Sequence, residues 1–445
     1  MHRLTLLVLA LAACGDDSAR KIVDAPAGQP DAPPLIDAPP QVLPVLVSVN
    51  NPDGTPVAGA HVYFQNADSS VVGATMLDAS GNARQLMNPG GYATALVPNT
   101  APGLGGPSAS YLAFTWAGVK PGDHLLLSPP SEPSASIPTT LTIPLDAANT
   151  ATITQYEIQS TCSYSSYVAP PTGSGATNAA VTYSFWDGCT AADVFVVALD
   201  GNNQPVSSFA ISGQPINANE IIDYTAKTYD AAVIRSYTFT NNADAASAIS
   251  LNDAYLTGRG TLYSGTQAIA SAEDPATIAA QAPAQPQGSL DVIQATQSVP
   301  STNRTFLEWG TTGAYTQDWG GHLLPDFATA PTLDTGTHIL GWTTTGGAAT
   351  ADFSLVAVDA FRGSTSTRWQ WGIAAPAGTQ VAFPTLPTDV TDLNVAADDT
   401  LRVDQVRIAK VPGGYDAIRG NVFQLAGPAP TGATGTAAYN DYQGP

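Results

Sequence analysis

The sequence predicts an all-β protein: three tandem β-sandwich domains after a signal peptide and a disordered Pro/Ala/Asp tether. Three observations carry that prediction. Short runs alternate apolar and polar residues at period two, as in Thr139-Thr140-Leu141-Thr142-Ile143, Val181-Thr182-Tyr183-Ser184-Phe185 and Ser236-Tyr237-Thr238-Phe239-Thr240, the pattern of strands with one covered face. Gly, Pro, Asn and Asp cluster between such runs, where the chain must turn. No amphipathic stretch of three or more helical turns follows the first residues, so parallel sheets with crossover helices are disfavoured.

The N-terminus is built differently. His2-Arg3 is followed by the apolar run Leu4 to Leu11, then by Ala12-Ala13-Cys14. A positive start, a short apolar middle and small residues before a cut are the marks of an export signal, here residues 1–13. The run is far shorter than the roughly 20 apolar residues of a membrane-crossing helix. Leu11-Ala12-Ala13-Cys14 resembles the lipobox of bacterial lipoproteins. The resemblance implies diacylglycerol on the Cys14 thiol and an outer-membrane lipoprotein, on the periplasmic side or at the cell surface. Each buried methylene contributes about 0.8 kcal/mol, and stable anchoring takes more than one chain. An ordinary cleaved signal with an incidental Cys14 is the alternative.

Residues 14–44 read as the lipidated tether. Asp24-Ala25-Pro26 recurs as Asp31-Ala32-Pro33 and Asp37-Ala38-Pro39. Proline lacks an amide donor and restricts the residue before it, so neither helix nor central strand is expected. In extended polyproline geometry the segment would reach roughly 90 Å.

The first domain is expected over 45–129. Val45 to Val49 and His61-Val62-Tyr63-Phe64 read as strands, with turns at Asn51-Pro52-Asp53-Gly54 and Asp78-Ala79-Ser80-Gly81-Asn82. Together with Pro56-Val57-Ala58-Gly59-Ala60 and Pro89-Gly90-Gly91-Tyr92, this stretch resembles the carboxypeptidase regulatory-like domain, a transthyretin-like β-sandwich. The likeness implies a fold and no peptidase activity, since the chain has no His-x-x-Glu.

A second sandwich is expected over 139–272. Its run Val194-Phe195-Val196-Val197-Ala198-Leu199 suits a strand covered on both faces, ended by a turn at Asp200-Gly201-Asn202-Asn203. With Cys14 set aside, Cys162 and Cys189 remain, and an even pair in an exported chain reads as a disulfide; buried free thiols are the alternative. Residues 272–288 read as a linker with a short helical possibility at Asp274 to Ala280. The third sandwich, over 289–426, is fibronectin-III-like at most, resting on Gly341-Trp342-Thr343, Trp369 and Val381 to Pro387. Trp369 and Trp371 flank Gln370 and should face the same way. The alternation changes phase between Leu401-Arg402-Val403 and Val406-Arg407-Ile408, as a β-bulge at Asp404 or Gln405 would cause. Residues 427–445 read as a loose tail.

Composition narrows the partners. The 445-residue chain carries 15 Lys and Arg against 36 Asp and Glu, a net charge of −21. Such a chain is repelled by phosphate backbones, so nucleic acid is excluded as a partner. Known catalytic signatures are absent: no Gly-x-Ser-x-Gly elbow, no His-Glu-x-x-His and no phosphate-binding loop. No catalytic residue is assigned and no cofactor is implied. The nearest approach to a metal site is Asp318 with His322 and His338, without tight ligand spacing. The Asp78 and Asp200 turns lack the full ligand alternation of a calcium loop. Five of seven tryptophans fall in the third domain; of these Trp309 and Trp319, each beside an acid and a glycine, are the candidates for an exposed ligand-stacking indole. The expectation is a non-catalytic, membrane-anchored envelope lipoprotein, serving as a surface binding, adhesion or structural module for an envelope glycan or protein. The alternatives are a carbohydrate-binding protein assisting polysaccharide degradation and a hydrolase of unrecognised type.

Overall fold

The computed structural model describes residues 43–51, 55–99, 110–128, 136–171, 175–186, 188–242, 247–270, 273–310, 315–347, 349–423 and 434–442. The signal segment, Cys14, nearly all of the tether and the Asp53-Gly54 turn lie outside these residues. The all-β prediction holds: the described chain forms strand after strand, and its two α-helices, Trp319–His322 and Gly414–Ile418, are single turns.

One sheet of twelve strands organises the body. Its order runs from Gly260–Ala270 through Ile249–Thr257, Leu290–Val299, Thr302–Trp309, Gly435–Tyr442, Asp399–Lys410, Phe353–Arg362 and Thr367–Pro376. It continues through Tyr111–Val119, Gly91–Pro98 and His61–Gln65 to Val71–Met76. Every neighbouring pair is antiparallel except one. Thr367–Pro376 runs parallel to Tyr111–Val119, from Trp369 opposite Tyr111 to Ala374 opposite Trp116. Through that pairing the first and third sequence blocks share the sheet.

Smaller sheets cover both faces. Val45–Val49 lies between Asn82–Gln85 and His124–Leu127. Its Val45, Val47 and Val49 are fully buried against Val62, Phe64, Ala93, Ala95 and Trp116 of the long sheet. On the opposite face Tyr237, Phe239, Leu340, Trp342 and Val381 pack on Val356, Val358, Trp369 and Trp371. Trp369 and Trp371 do face the same way, and the Trp371 Nε1 donates to Thr115 Oγ1 at 2.9 Å. The expected bulge is also present: Ala357 pairs with Gln405 and Val358 with Val403, so Asp404 is the extra residue.

Residues 136–231 form a sandwich of their own. A five-stranded sheet (Ser166–Val168, Ile153–Ser160, Ala191–Asp200, Pro205–Pro215, Asp230–Ala231) lies over a three-stranded one (Asn178–Trp186, Ser136–Pro144, Ile221–Asp223). Leu141, Ile143, Ile158, Phe185, Val194 and Val196 fill the space between. On the outer face Phe195, Val197 and Leu199 pack against Tyr255, Leu262 and Tyr263, the last two on the terminal strand of the long sheet. The central strand is therefore covered on both sides, as its apolar run predicted. The next segment of the expected second domain, Val233–Thr240, pairs instead with Ala276–Ala282 and Tyr315–Asp318.

Two expectations are corrected. The linker with a helical possibility contains the strand Ala276–Ala282, which pairs residue for residue with Val233–Phe239. Ala276 and Ala282 are buried while Thr277 and Ala279 face outward, a period-two pattern that the helix preference of alanine concealed. The tail is not loose over Gly435–Tyr442, a strand seated between Thr302–Trp309 and Asp399–Lys410. Its small residues are a packing requirement: a Cβ on Gly435 would come within 2.5 Å of the Trp309 ring. Arg407 fixes the strand's end through Asp441, with Nε to Oδ1 at 2.7 Å and Nη2 to Oδ2 at 2.9 Å.

Candidate functional site

The alternation of the Asn178–Trp186 strand builds the site. Tyr183 and Phe185 point into the sandwich core, so Thr182, Ser184 and Trp186 point out. Across the ladder Trp186 stands opposite Ser136. The turn after Ile153–Ser160 brings Tyr164, Ser165 and Ser166 to the same place, and the resulting open cleft has a volume of about 500 Å³.

The disulfide holds the turn against the strand. Cys162 and Cys189 are joined with their Cα atoms 6.2 Å apart, so the predicted pairing is present. The Trp186 amide donates to the Cys162 carbonyl at 2.9 Å, and the Thr161 amide donates to the Asp193 carbonyl at 3.1 Å. Inside the turn the Cys162 amide donates to Ser160 Oγ at 3.2 Å, and Ser163 Oγ is hydrogen-bonded to the Tyr183 hydroxyl. That hydroxyl donates in turn to the Tyr164 carbonyl at 3.2 Å. Burial raises the Tyr183 pKa, so the phenol stays protonated and keeps its place in the chain of bonds.

These bonds fix the Tyr164 backbone while its ring stands out. Tyr164 is 72% exposed, and it meets Trp186 edge-on, with ring centroids 5.6 Å apart and planes at 74°. Two aromatic rings at an angle, bordered by the hydroxyls of Ser136, Ser165, Thr182 and Ser184, offer apolar faces and hydrogen-bonding groups together. Among the described residues, no lysine, arginine, histidine or carboxylate lines the cleft. The arrangement suits a neutral, polyhydroxylated ligand.

The residues singled out from sequence lie elsewhere. Trp309 and Trp319 are 1% and 2% exposed, and the expectation of an exposed indole there is corrected. Trp309 is sealed by the Gly435 strand. Trp319 packs edge-on against Phe239 and donates to Gln297 Oε1 at 3.1 Å. Each belongs to a different buried cluster of the body, so an adjacent acid or glycine says nothing of exposure. Asp318 serves as the cap of the one-turn helix, accepting from the Gly321 amide at 3.0 Å and from Asn241 Nδ2 at 2.8 Å. His322 lies against the Phe306 ring. His338 is in another turn, beside Asp334, which accepts from the Gly336 and Thr337 amides at 2.8 and 3.2 Å. Among the described residues no three His, Cys, Asp or Glu are grouped to hold a metal ion. Asp78 and Asp200 likewise accept from their own turn amides.

A buried ionic cluster lies between the long sheet and its cover. Arg235 Nη1 reaches Asp291 Oδ2 at 2.6 Å and Asp253 Oδ2 at 3.5 Å. Burial pushes Asp253 from its ordinary 3.8 up to about 6, against the pull of Arg235. Both carboxylates are 1% exposed, so no substrate reaches them and their role is structural.

Tyr164 and Trp186 carry a partial signal in the sequence. Trp186 continues the outward phase of Thr182 and Ser184, and Tyr164 sits in the polar run Cys162-Ser163-Tyr164-Ser165-Ser166-Tyr167.

No family model matches the chain, and no curated protein is similar to it. Among solved structures, the Bacillus anthracis TIE protein is matched at 12% identity and a TM-score of 0.14 over 62% of this chain. This chain spans about half of that one, 49% of its length. A Streptococcal ancillary pilin is matched at 6% identity and a TM-score of 0.13, covering 68% of this chain and 95% of the other. Likenesses this low carry no argument about function.

Proposed function

We propose that this chain is a non-catalytic binding module of the cell envelope that holds a neutral glycan in the Tyr164–Trp186 cleft. One observation carries the reading: an exposed tyrosine ring set edge-on to a tryptophan, beside a row of serine and threonine hydroxyls, with no ionised group among the described lining residues. A sugar ring has the complementary surface, with apolar C–H faces and a rim of hydroxyls. The cleft is shallow, so each site binds in the millimolar to micromolar range, about −4 to −8 kcal/mol. In the same reading Cys14 carries lipid and tethers the body to the outer membrane, on the periplasmic side or at the surface. A fixed array of such molecules raises weak single-site binding through multivalency.

A glycan array probed with the full chain tests the reading. Binding to neutral oligosaccharides that falls at least tenfold in Tyr164→Ala and in Trp186→Ala supports it. An empty array, or binding indifferent to both substitutions, contradicts it. Mass spectrometry of the native protein checks the anchor separately: an unmodified Cys14 ends that part of the proposal.

A further inference from the structure

A second cleft, of about 530 Å³, lies where the outer face of the five-stranded sheet meets the terminal strand of the long sheet. Junctions between packed units are common ligand positions. Its centre is Glu157, a carboxylate only 8% exposed. Gln159 Nε2 and the Tyr167 hydroxyl both donate to Oε1, each at 2.8 Å. No described residue donates to Oε2. Oε2 is not sealed from solvent, so a hydroxyl that enters the cleft can donate to it in place of water.

The brace behind Glu157 is rigid. Gln159 Oε1 accepts from the Ser264 amide at 2.9 Å, and its Nε2 donates to the Ser264 carbonyl at 3.2 Å. The side-chain amide thus pairs with the terminal strand as a neighbouring backbone would. On the opposite wall the Tyr263 hydroxyl has no partner among the described residues, and it lies over Gly265, where a Cβ would come within 2.0 Å of that oxygen. Tyr167 stands over the entrance with its ring 57% exposed. Among the described residues no basic side chain lines the cleft, and the chain's net charge of −21 repels anions.

We infer that this cleft is a second saccharide site, in which Glu157 Oε2 accepts from sugar hydroxyls, the Tyr263 hydroxyl completes the hydrogen bonding and the Tyr167 ring covers a sugar face. It takes the ligand class proposed for the first cleft but stands on separate residues, so either site can fail alone. Neither site shares a lining residue with the other.

The test is calorimetric titration of the full chain with maltoheptaose, cellohexaose and chitohexaose, using Tyr164→Ala to remove the first site. The inference predicts that binding of at least one of these sugars persists in Tyr164→Ala. It also predicts that this residual binding weakens at least tenfold when Glu157→Gln or Tyr167→Ala is added. The Tyr167 ring is exposed, so its variant decides the matter should Glu157→Gln fold poorly. Loss of all binding in Tyr164→Ala alone overturns the second site and leaves the first. Residual binding indifferent to Glu157 and Tyr167 overturns it as well. Absence of binding to every sugar in the unaltered chain overturns both sites.

Discussion

Trp186 and Trp371 occupy comparable places, each facing outward from its own strand, and meet opposite fates. Trp371 lies in the long sheet, both of whose faces are covered, and is 1% exposed. Trp186 lies in the three-stranded sheet of the 136–231 sandwich, of which the inner face alone is packed among the described residues, and borders an open cleft. The side chain is the same, and the difference is whether a further layer covers the sheet. An indole becomes a binding surface when its sheet keeps a free face, and that property belongs to the assembled layers and not to the residue's sequence neighbours.

Substitution of the two indoles gives the largest expected contrast. Trp371→Ala removes a fully buried ring and the partner of Thr115, and should lower unfolding free energy by about 3–5 kcal/mol in urea titration. Trp186→Ala should cost about 1 kcal/mol or less while weakening glycan binding. Equal losses of stability would erase the distinction between the two regions.

The ionic cluster sharpens the contrast through charge. Arg235→Met leaves Asp253 and Asp291 buried without a cation, and should destabilise by about 3–5 kcal/mol at neutral pH. In the unaltered protein the Asp253 pKa is raised from 3.8 to about 6, so between those values the folded state holds a proton that the unfolded state has released. Its contribution to stability is therefore full below about 3.8 and is lost as pH rises through about 6. Unfolding free energy measured across that window should fall with pH, with a steeper fall in Arg235→Met. A flat profile would mean the pair is hydrated.

The disulfide ranks next. The bridge spans 27 residues of sequence, and removing it with Cys162→Ser/Cys189→Ser should cost about 3.5 kcal/mol in the chain-entropy account. It should also free the Tyr164 turn, and so weaken glycan binding at conditions where the protein remains folded. Smallest in stability is Tyr164→Ala, expected to shift unfolding by no more than about 0.5 kcal/mol, as the ring is 72% exposed.

What was legible in the sequence follows the same physics. Alternation showed the strands at 139–143 and 181–185, and the continuous apolar run showed the doubly covered strand at 194–199. The phase change near Asp404 located the bulge, because strand side chains keep a strict period of two. The Ala276–Ala282 and Gly435–Tyr442 strands were obscured because alanine and glycine carry little hydrophobic contrast, and their places are set by partners such as Trp309. The clefts were legible only in part. The outward phase of Thr182, Ser184 and Trp186 could be read from the strand, but the approach of Tyr164 depends on the turn. The pairing of Gln159 with Ser264, 105 positions away, has no local signature at all.

The central claim is that the Tyr164–Trp186 cleft is the recognition face, and the direct measurement is oligosaccharide affinity beside thermal unfolding for the full chain and Tyr164→Ala. The account predicts affinity at this site reduced at least tenfold with an unchanged unfolding midpoint. Undiminished binding at this site in a folded Tyr164→Ala protein would contradict it.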